Sequence, residues 1–246
     1  IRAKLVTGVQ TCALPIFSLG LATGCSDSDT QTQARFAVLS DPHVYDTSLG
    51  TTGTAFEDYL AHDRKMLAES TEIMEAMAAK LSAVDKLDFL LIPGDLTKDG
   101  EKVSHQKMAS ILATLNSKGI ATYVVPGNHD INNPHAVSFS GSTTTKVASV
   151  TPAEFAEIHK NSGFSNAIYR DSNSLSYIAE PADNVWLFAI DSCKYDDNGT
   201  YPETSGEISA ATLSWILSKL TEAKSKGKLV IGMMHHGIIA HFAAQP

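Results

Sequence analysis

The chain has 246 residues, of which 43% are hydrophobic and 19% are charged, and its formal net charge is −8. This length and balance are typical of one globular domain with a substantial core, and the acidic balance argues against a nucleic-acid backbone as the partner. Three cysteines, Cys12, Cys25 and Cys193, have the spacing of neither a zinc knuckle nor a disulfide framework.

The N-terminal 34 residues are set apart from the rest of the chain. Residues 6–16 closely resemble the translation of a common sequencing adapter, so residues 1–16 are excluded from the fold prediction. Residues 17–34 resemble the end of a bacterial signal peptide, with a lipobox-like ATGC at residues 22–25 and a polar tether after it. We therefore expect lipidation at Cys25 and a location in the bacterial cell envelope, periplasmic or extracytoplasmic, with membrane contact only through this anchor. A plain disordered N-terminus is the alternative.

Apolar runs that alternate with helical periodicity predict parallel βαβ units. The strands are predicted at residues 35–39, 87–92, 121–125, 174–180, 185–190 and 229–234, and the helices at 57–84, 101–117, 151–162 and 209–226. The polar, Ser- and Thr-rich segment 132–150 predicts an excursion or a lid.

Four of these strands end in polar side chains. The endings are Asp41-Pro42-His43, Gly94-Asp95, Gly127-Asn128-His129-Asp130 and His235-His236. Ligands of open α/β sheets bind at the carboxyl ends of the strands, and carboxylate, imidazole and amide oxygen are ligands for borderline and hard divalent metals. A buried cluster of Asp and His would be costly without a cation. Each motif is weak alone, but the four in order predict a metal site.

From about Arg35 to the end of the chain, these motifs resemble the calcineurin-like metallophosphoesterase superfamily, which includes purple acid phosphatases and cyclic-nucleotide phosphodiesterases. The resemblance implies an α/β protein, a four-layer α/β/β/α sandwich, over residues 35–246. A fifth family motif, Gly-His-x-His, does not occur before Pro246. We expect it in the continuation of the reading frame, so that residues 35–246 form a domain that is incomplete at its C-terminus.

The resemblance also implies a dinuclear site with two divalent or trivalent ions, and the ligand set suits Fe, Mn, Zn or Co without selecting among them. Its ligands would be Asp41 and His43 at the first ion, Asp95 between the two ions, and Asn128 with His235 at the second ion, with His236 as the alternative to His235.

Two neighbours of Asn128 take catalytic roles by the same resemblance. His129 would stabilise charge near the scissile ester or protonate the leaving alkoxide, and Asp130 would orient its imidazole. Two cations roughly 3.5–4 Å apart would lower the pKa of a bridging water, whose hydroxide attacks the phosphoryl group in line. The expected reaction is hydrolysis of a phosphomonoester or phosphodiester of a small molecule.

Other residues have weaker signals. Asp191 ends a strand and is a candidate to orient the ligands from behind, although a strand-end Asp is more often a turn group. His62, His105 and His159 lie in helical stretches and are expected at the surface, and Cys193 is expected to be a small buried residue. Two alternative functions stay open: a cyclic-nucleotide phosphodiesterase, and a non-catalytic metal-binding or scaffold protein on the same fold.

Overall fold

The computed structural model describes residues 16–19, 34–63 and 65–238. Its first sheet has the strand order β1-β2-β3-β4. These strands are β1 (Ile16–Leu19), β2 (Ala34–Val38), β3 (Phe89–Pro93) and β4 (Ala121–Val125). Because β2, β3 and β4 run parallel, their carboxyl ends meet at one edge of the sheet. Strand β1 is antiparallel to β2. Its first residue, Ile16, belongs to the excluded segment 1–16, and its other three residues belong to the predicted signal-peptide remnant, whereas Cys25 lies outside the described residues.

The remaining described strands form a hairpin and a second sheet. The hairpin consists of β5 (Val137–Ser140) and β6 (Thr143–Lys146). The second sheet contains β7 (Tyr169–Arg170), β8 (Tyr177–Ala182), β9 (Val185–Ile190) and β10 (Leu229–Met234), in the order β10-β9-β8-β7. Strand β10 is parallel to β9, so its carboxyl end lies beside the end of β9.

The part of the chain that the structure describes contains five α-helices. They are α1 (Thr54–His62), α2 (Ser70–Ser82), α3 (Lys102–Asn116), α4 (Pro152–Ile158) and α5 (Ala210–Ser225). Helix α4 begins with the capping box that the sequence indicates, in which Thr151 and Glu154 exchange hydrogen bonds. No helix among the described residues is long and apolar enough to cross a bilayer.

Two apolar cores give the fold its layers. The larger core joins α2 and α3 to the first sheet and the first sheet to one face of the second, and the Tyr177 hydroxyl donates to the Val124 carbonyl oxygen across the two sheets, at 2.9 Å. On the opposite face of the second sheet, Trp186 and Phe188 pack against Ile216 of α5. The order is therefore helix, sheet, sheet, helix, and the predicted fold class is confirmed.

The predicted helix 57–84 is wrong in its middle, because the chain forms α1 and α2 with a break between them. Asp63 is extended, and its carboxylate accepts hydrogen bonds from the Tyr59 hydroxyl at 2.8 Å and from the Lys65 amide at 3.0 Å. Leu67 is fully buried beside Phe56, whereas Met66 is 62% exposed. The local hydrogen bonds of Asp63 thus override the helical periodicity.

Segment 132–150 is docked on α1 rather than free. The Ala55 amide donates to the Gly141 carbonyl at 3.0 Å, and Phe139 packs edge-on against Phe56 with ring centroids 5.2 Å apart. Gly53 has a φ of 97°, and a Cβ there would lie 2.5 Å from the Gly141 oxygen. Only glycine permits this close approach of the two backbones.

His105 and His159 contradict the predicted surface location, because both are buried in the core. The Nε2 of His105 lies 2.9 Å from the Asp130 carbonyl oxygen, and its Nδ1 lies 3.0 Å from Nε2 of His159. The rings contact Phe155 of α4. The face of α3 that carries His105 is therefore the face that packs inward, while His62 is exposed as predicted.

Candidate metal centre

The two sheets bring their polar strand ends to one place. The endings of β2, β3 and β4 share an edge, and the end of β10 joins them through His235, whose Nδ1 lies 2.9 Å from the Pro93 carbonyl oxygen. Residues that are far apart in sequence therefore meet here, as the strand pattern predicts.

Three of these residues, Asp41, His43 and Asp95, place one candidate ligand atom each within 4.8 Å of the others. All three have left-handed backbones, with φ of 56°, 43° and 50°, which is unfavourable for residues other than glycine. The His43 amide donates to the Asp95 carbonyl oxygen at 3.0 Å, which helps hold these conformations in place. Strain of this kind persists only where the surrounding structure enforces it, and it is typical of functional sites.

Asp95 lies between two imidazoles. Its Oδ2 is 3.6 Å from Nε2 of His43, and its Oδ1 is 3.6 Å from Nε2 of His235. Burial and the nearby charge of Asp130 raise the pKa of Asp95 to about 6. A carboxylate this buried is stable as an anion only with compensating positive charge, which a bound cation would supply. The position of Asp95 therefore fits a ligand of a bound cation.

The tautomers of both imidazoles leave Nε2 free as a ligand atom. The Nδ1 of His43 lies 3.2 Å from the Thr97 carbonyl oxygen, so Nδ1 carries the hydrogen. Burial, together with repulsion from Lys65 and His129, lowers the pKa of His43 to about 4 and keeps the ring neutral. The Nδ1–H of His235 likewise donates to Pro93. Metal-bound histidines usually donate their other nitrogen in this way.

Asn128 completes this group of side chains. Its Oδ1 lies 2.9 Å from Nε2 of His235. The two atoms are therefore close enough to be ligands of one cation.

His236 points elsewhere. Its Nδ1 lies 2.8 Å from the Ser192 hydroxyl, and its Nε2 lies 3.2 Å from the Thr204 carbonyl oxygen. Both ring nitrogens are thus engaged in holding the loop after β9. Of the two consecutive histidines, the structure places His235 beside Asp95.

His129 stands next to the ligand cluster and contacts a residue that the sequence did not indicate. Its amide donates to Asp95 Oδ1 at 3.0 Å, and its ring lies edge-on to His43 with centroids 5.0 Å apart. Its Nδ1 donates to Asp99 Oδ1 at 2.8 Å. Burial acts to lower the pKa of His129, but the hydrogen bond to Asp99 and the charge of Asp95 raise it overall.

The profile of the calcineurin-like phosphoesterase family matches residues 34–244. The chain belongs to this family. A comparison with curated proteins gives no significant match. Proteins of this family generally bind divalent metals, and the Asp41, His43 and Asp95 group supplies a candidate metal site in this phosphoesterase domain.

Asp130 of the phosphoesterase domain does not orient His129 as predicted. Its carboxylate is fully buried and accepts hydrogen bonds from the amides of Leu96, Thr97 and Gly127 at 2.9–3.0 Å, and from the Thr97 hydroxyl at 3.0 Å. These bonds fix the loops after β3 and β4 to each other. The neighbour of His129 in sequence therefore braces the backbone, and Asp99 contacts the ring.

The carboxylate of Asp191 stabilises the turn that follows β9, in which Asp191 itself lies. Its carboxylate accepts from the Leu175 and Cys193 amides at 3.1 and 3.0 Å and from the Tyr195 hydroxyl at 2.9 Å. This is the turn role that the sequence left open beside the ligand-orienting one. The Cys193 thiol donates to the Pro126 carbonyl oxygen, and burial raises its pKa well above the ordinary value, so it is not an activated nucleophile.

Two further features of the phosphoesterase site escape a sequence reading. A Cβ on Gly127 would overlap the Asp95 amide nitrogen and carboxylate, so only glycine lets these two loops approach. Lys65, in the break between α1 and α2, is close enough to act on the pKa of both His43 and His129. Its ammonium also lies 3.2 Å from Asp63 Oδ2.

Proposed function

We propose that the protein hydrolyses a phosphate ester of a small molecule at a site for two metal ions. The observation that carries this proposal is the position of Asp95, whose two oxygens each lie 3.6 Å from the Nε2 of an imidazole, His43 on one side and His235 on the other. His43 and Asp41 would hold one ion and His235 and Asn128 the other. The mixed oxygen and nitrogen donors suit Fe, Mn, Zn or Co.

The chemistry that such ions supply when bound is Lewis acidity toward phosphoryl oxygens and activation of the attacking water. The residues of the chain provide the geometry for this. Asp95 places its two oxygens toward the two halves of the site, and the Nδ1 hydrogen bonds of His43 and His235 hold each ring so that Nε2 points inward.

His129 is the proton donor in this proposal. Its Nδ1–H is committed to Asp99, and its raised pKa favours the protonated ring, which then carries a second hydrogen on Nε2. That hydrogen passes to the oxygen of the leaving alcohol as the ester bond to phosphorus breaks. Asp99 keeps the ring in the orientation that this transfer requires.

Metal analysis and turnover assays test the proposal. The purified protein is expected to bind two ions and to hydrolyse p-nitrophenyl phosphate or bis-p-nitrophenyl phosphate. Asp95→Asn is expected to lose metal and activity, whereas Asp183→Asn, at an exposed position in the β8–β9 turn, serves as the matched control. Full activity in Asp95→Asn would refute the bridging role. Two bound ions without hydrolysis of a broad ester panel would favour a metal-binding or scaffold protein instead.

We also propose a location in the cell envelope, supported by the lipobox-like residues 22–25. Labelling of the expressed protein with a radioactive fatty acid tests this proposal. Label is expected in the wild-type protein and not in Cys25→Ser, and equal labelling of the two proteins would contradict it.

A further inference from the structure

Lys98 is a lysine without solvent access. Its side chain is 0% exposed, although it follows Thr97 directly in the loop after β3. A buried ammonium is stable only when it is paired, because removal from water strongly disfavours the charged form. The side chains that contact Lys98 therefore indicate the role of its positive charge.

Acidic and aromatic side chains surround the ammonium of Lys98. It forms an ion pair with Asp99 Oδ2 and lies 3.5 Å from Glu101 Oε1. It also lies 4.5 Å from the ring centroid of Tyr59 in α1 and 5.8 Å from that of Phe139 in β5. Aromatic faces attract cations, and they also keep water away from the pair.

The two oxygens of Asp99 have different partners. Oδ1 accepts from Nδ1 of His129 at 2.8 Å, and Oδ2 contacts the Lys98 ammonium. Glu101 holds the same residue from its backbone, because Glu101 Oε2 accepts from the Asp99 amide at 3.1 Å. Asn133 Nδ2 also donates to Oδ1, at 3.3 Å, so Asp99 is held on the His129 side by this amide and on the opposite side by Lys98 and Glu101.

We propose that Lys98 is a positioning residue for the reaction, which holds Asp99 by its Oδ2 so that Oδ1 is aimed at His129. This inference rests on the proposed role of His129 as the proton donor to the leaving group. Without the ammonium, Glu101 would lose its cationic partner, and Asp99 would keep only the His129 ring as a partner for two buried, neighbouring carboxylates. Asp99 would then turn toward water or take up a proton, and His129 would lose its fixed acceptor.

The aromatic side chains of α1 and of the hairpin have a corresponding role. Tyr59 and Phe139 are far apart in sequence and meet above the Lys98 ammonium, with ring centroids 5.5 Å apart. Segment 132–150, which the sequence suggests as a lid over substrate, therefore seals a buried charge behind the catalytic histidine.

Lys98→Met tests the proposal, because it keeps an unbranched chain of similar length and removes only the charge. The protein is assayed with a p-nitrophenyl ester and an alkyl ester of the same phosphate class. The alkyl leaving group needs a proton, whereas p-nitrophenolate leaves without one. We expect the alkyl ester rate to fall by about tenfold or more and the p-nitrophenyl rate by less than about threefold, since general-acid catalysis contributes about 10²- to 10⁴-fold. Metal content is expected to stay at the wild-type level.

Lys219→Met is the matched control, because Lys219 also lies over an aromatic ring, 3.6 Å from the Tyr169 centroid, and pairs with Glu222 on α5. Its ratio of the two rates is expected to equal that of the wild type. The double variant Lys98→Met/Glu101→Gln guards against misfolding, because it removes one of the two buried carboxylates together with the ammonium. Its ratio is expected to lie between those of the wild type and Lys98→Met.

A wild-type ratio in either Lys98 variant, or an equal loss on both esters, would overturn the role of Lys98. A wild-type protein that hydrolyses neither ester would instead count against the proposed function, and with it against this inference.

Discussion

His129 donates its Nδ1 hydrogen to Asp99 across 2.8 Å, although Asp130 is its neighbour in the chain. The two carboxylates thus divide two tasks. Asp99 acts on the imidazole, and Asp130 ties together the loops that carry it. Substitution of Asp99 should therefore impair catalysis, whereas substitution of Asp130 should lower stability.

Asp99→Asn should reduce kcat while metal content stays close to wild type. The amide is a weaker acceptor and favours the wrong ring tautomer, so proton donation by His129 suffers. We expect a loss of about 10²-fold with alkyl esters, within the usual range for general-acid catalysis. Steady-state kinetics with parallel metal analysis check this, and loss of the bound metal would contradict the assignment.

Asp130→Asn should instead lower the free energy of unfolding. Its carboxylate receives four hydrogen bonds in a fully buried position, and an amide group would turn donors toward donors. We expect a loss of about 2–4 kcal/mol, because each buried polar group left unpaired costs about 1–3 kcal/mol. Urea unfolding of the metal-free protein measures it, with Asp183→Asn as the control. A wild-type midpoint would show that the bracing role is wrong.

Gly127→Ala should separate the loops after β3 and β4. The added methyl group would overlap the Asp95 amide and carboxylate, so either the loops move or the side chain of Asp95 leaves its place. We expect metal binding to be weakened at least about tenfold, comparable to the loss of a residue that orients a ligand. Calorimetric titration of the metal-free protein with Zn²⁺ or Mn²⁺ tests this. Gly199→Ala, where a Cβ would meet open space, is the matched control and should bind as the wild type does.

Lys65 should contribute to substrate binding. Its positive charge acts to lower the pKa of both His43 and His129, and we expect the same charge to attract a phosphoryl group bound beside these rings. Lys65→Met should therefore raise KM by about three- to tenfold, equivalent to about 0.7–1.4 kcal/mol, with a smaller change in kcat. Lys65→Arg should retain most of the affinity because it keeps the charge. A KM of Lys65→Met equal to that of the wild type would show that Lys65 does not contribute to substrate binding.

The buried pair His105 and His159 should make the fold sensitive to acid. Burial lowers the pKa of both rings below the ordinary value of 6.5, and for His159 the neighbouring His105 adds to this. Both are neutral in either state at high pH, whereas below pH 6.5 the unfolded chain takes up protons that the folded chain does not. Stability is therefore lost as pH falls, by up to about 1.4 kcal/mol per pH unit for each ring.

His159→Gln checks this pH dependence, because the amide can still donate to His105 and does not titrate. The difference in unfolding free energy between about pH 7 and about pH 5 should be smaller in the variant than in the wild type. Carboxylates with raised pKa, such as Glu101, act in the opposite direction, but they are common to both proteins. Equal differences in the two proteins would contradict the assignment.

The strand ends are the part of the site that the sequence predicts well. Strands β3 and β4 stop at Pro-Gly, so the side chains that follow lie at the carboxyl ends of these strands. Parallel pairing brings the carboxyl ends of β2, β3 and β4 together. The layers follow from the same alternation of strands and helices. Asp95 and Asn128 accordingly lie where the spacing places them.

What the sequence could not supply is the direction of individual side chains. Asp130 adjoins His129 in the chain, yet the turn after β4 sends their side chains to different partners. Asp99 lies four residues beyond Asp95 in an irregular loop. A loop has no regular backbone periodicity from which the direction of a carboxylate could be predicted. The sequence signal for the role of Asp99 is its position as a second acidic residue in the loop that begins with Asp95.

Asp95 and His235 belong to different sheets, and the Pro93 carbonyl oxygen holds His235 across the gap. Ions at this point would fasten the two halves of the sandwich to each other. The candidate metal centre would then also join the two sheets, and the affinity for metal would depend on how closely the sheets pack. Loosening the sandwich at Tyr177, whose hydroxyl links the sheets within their shared core, should then weaken metal retention without touching a single ligand.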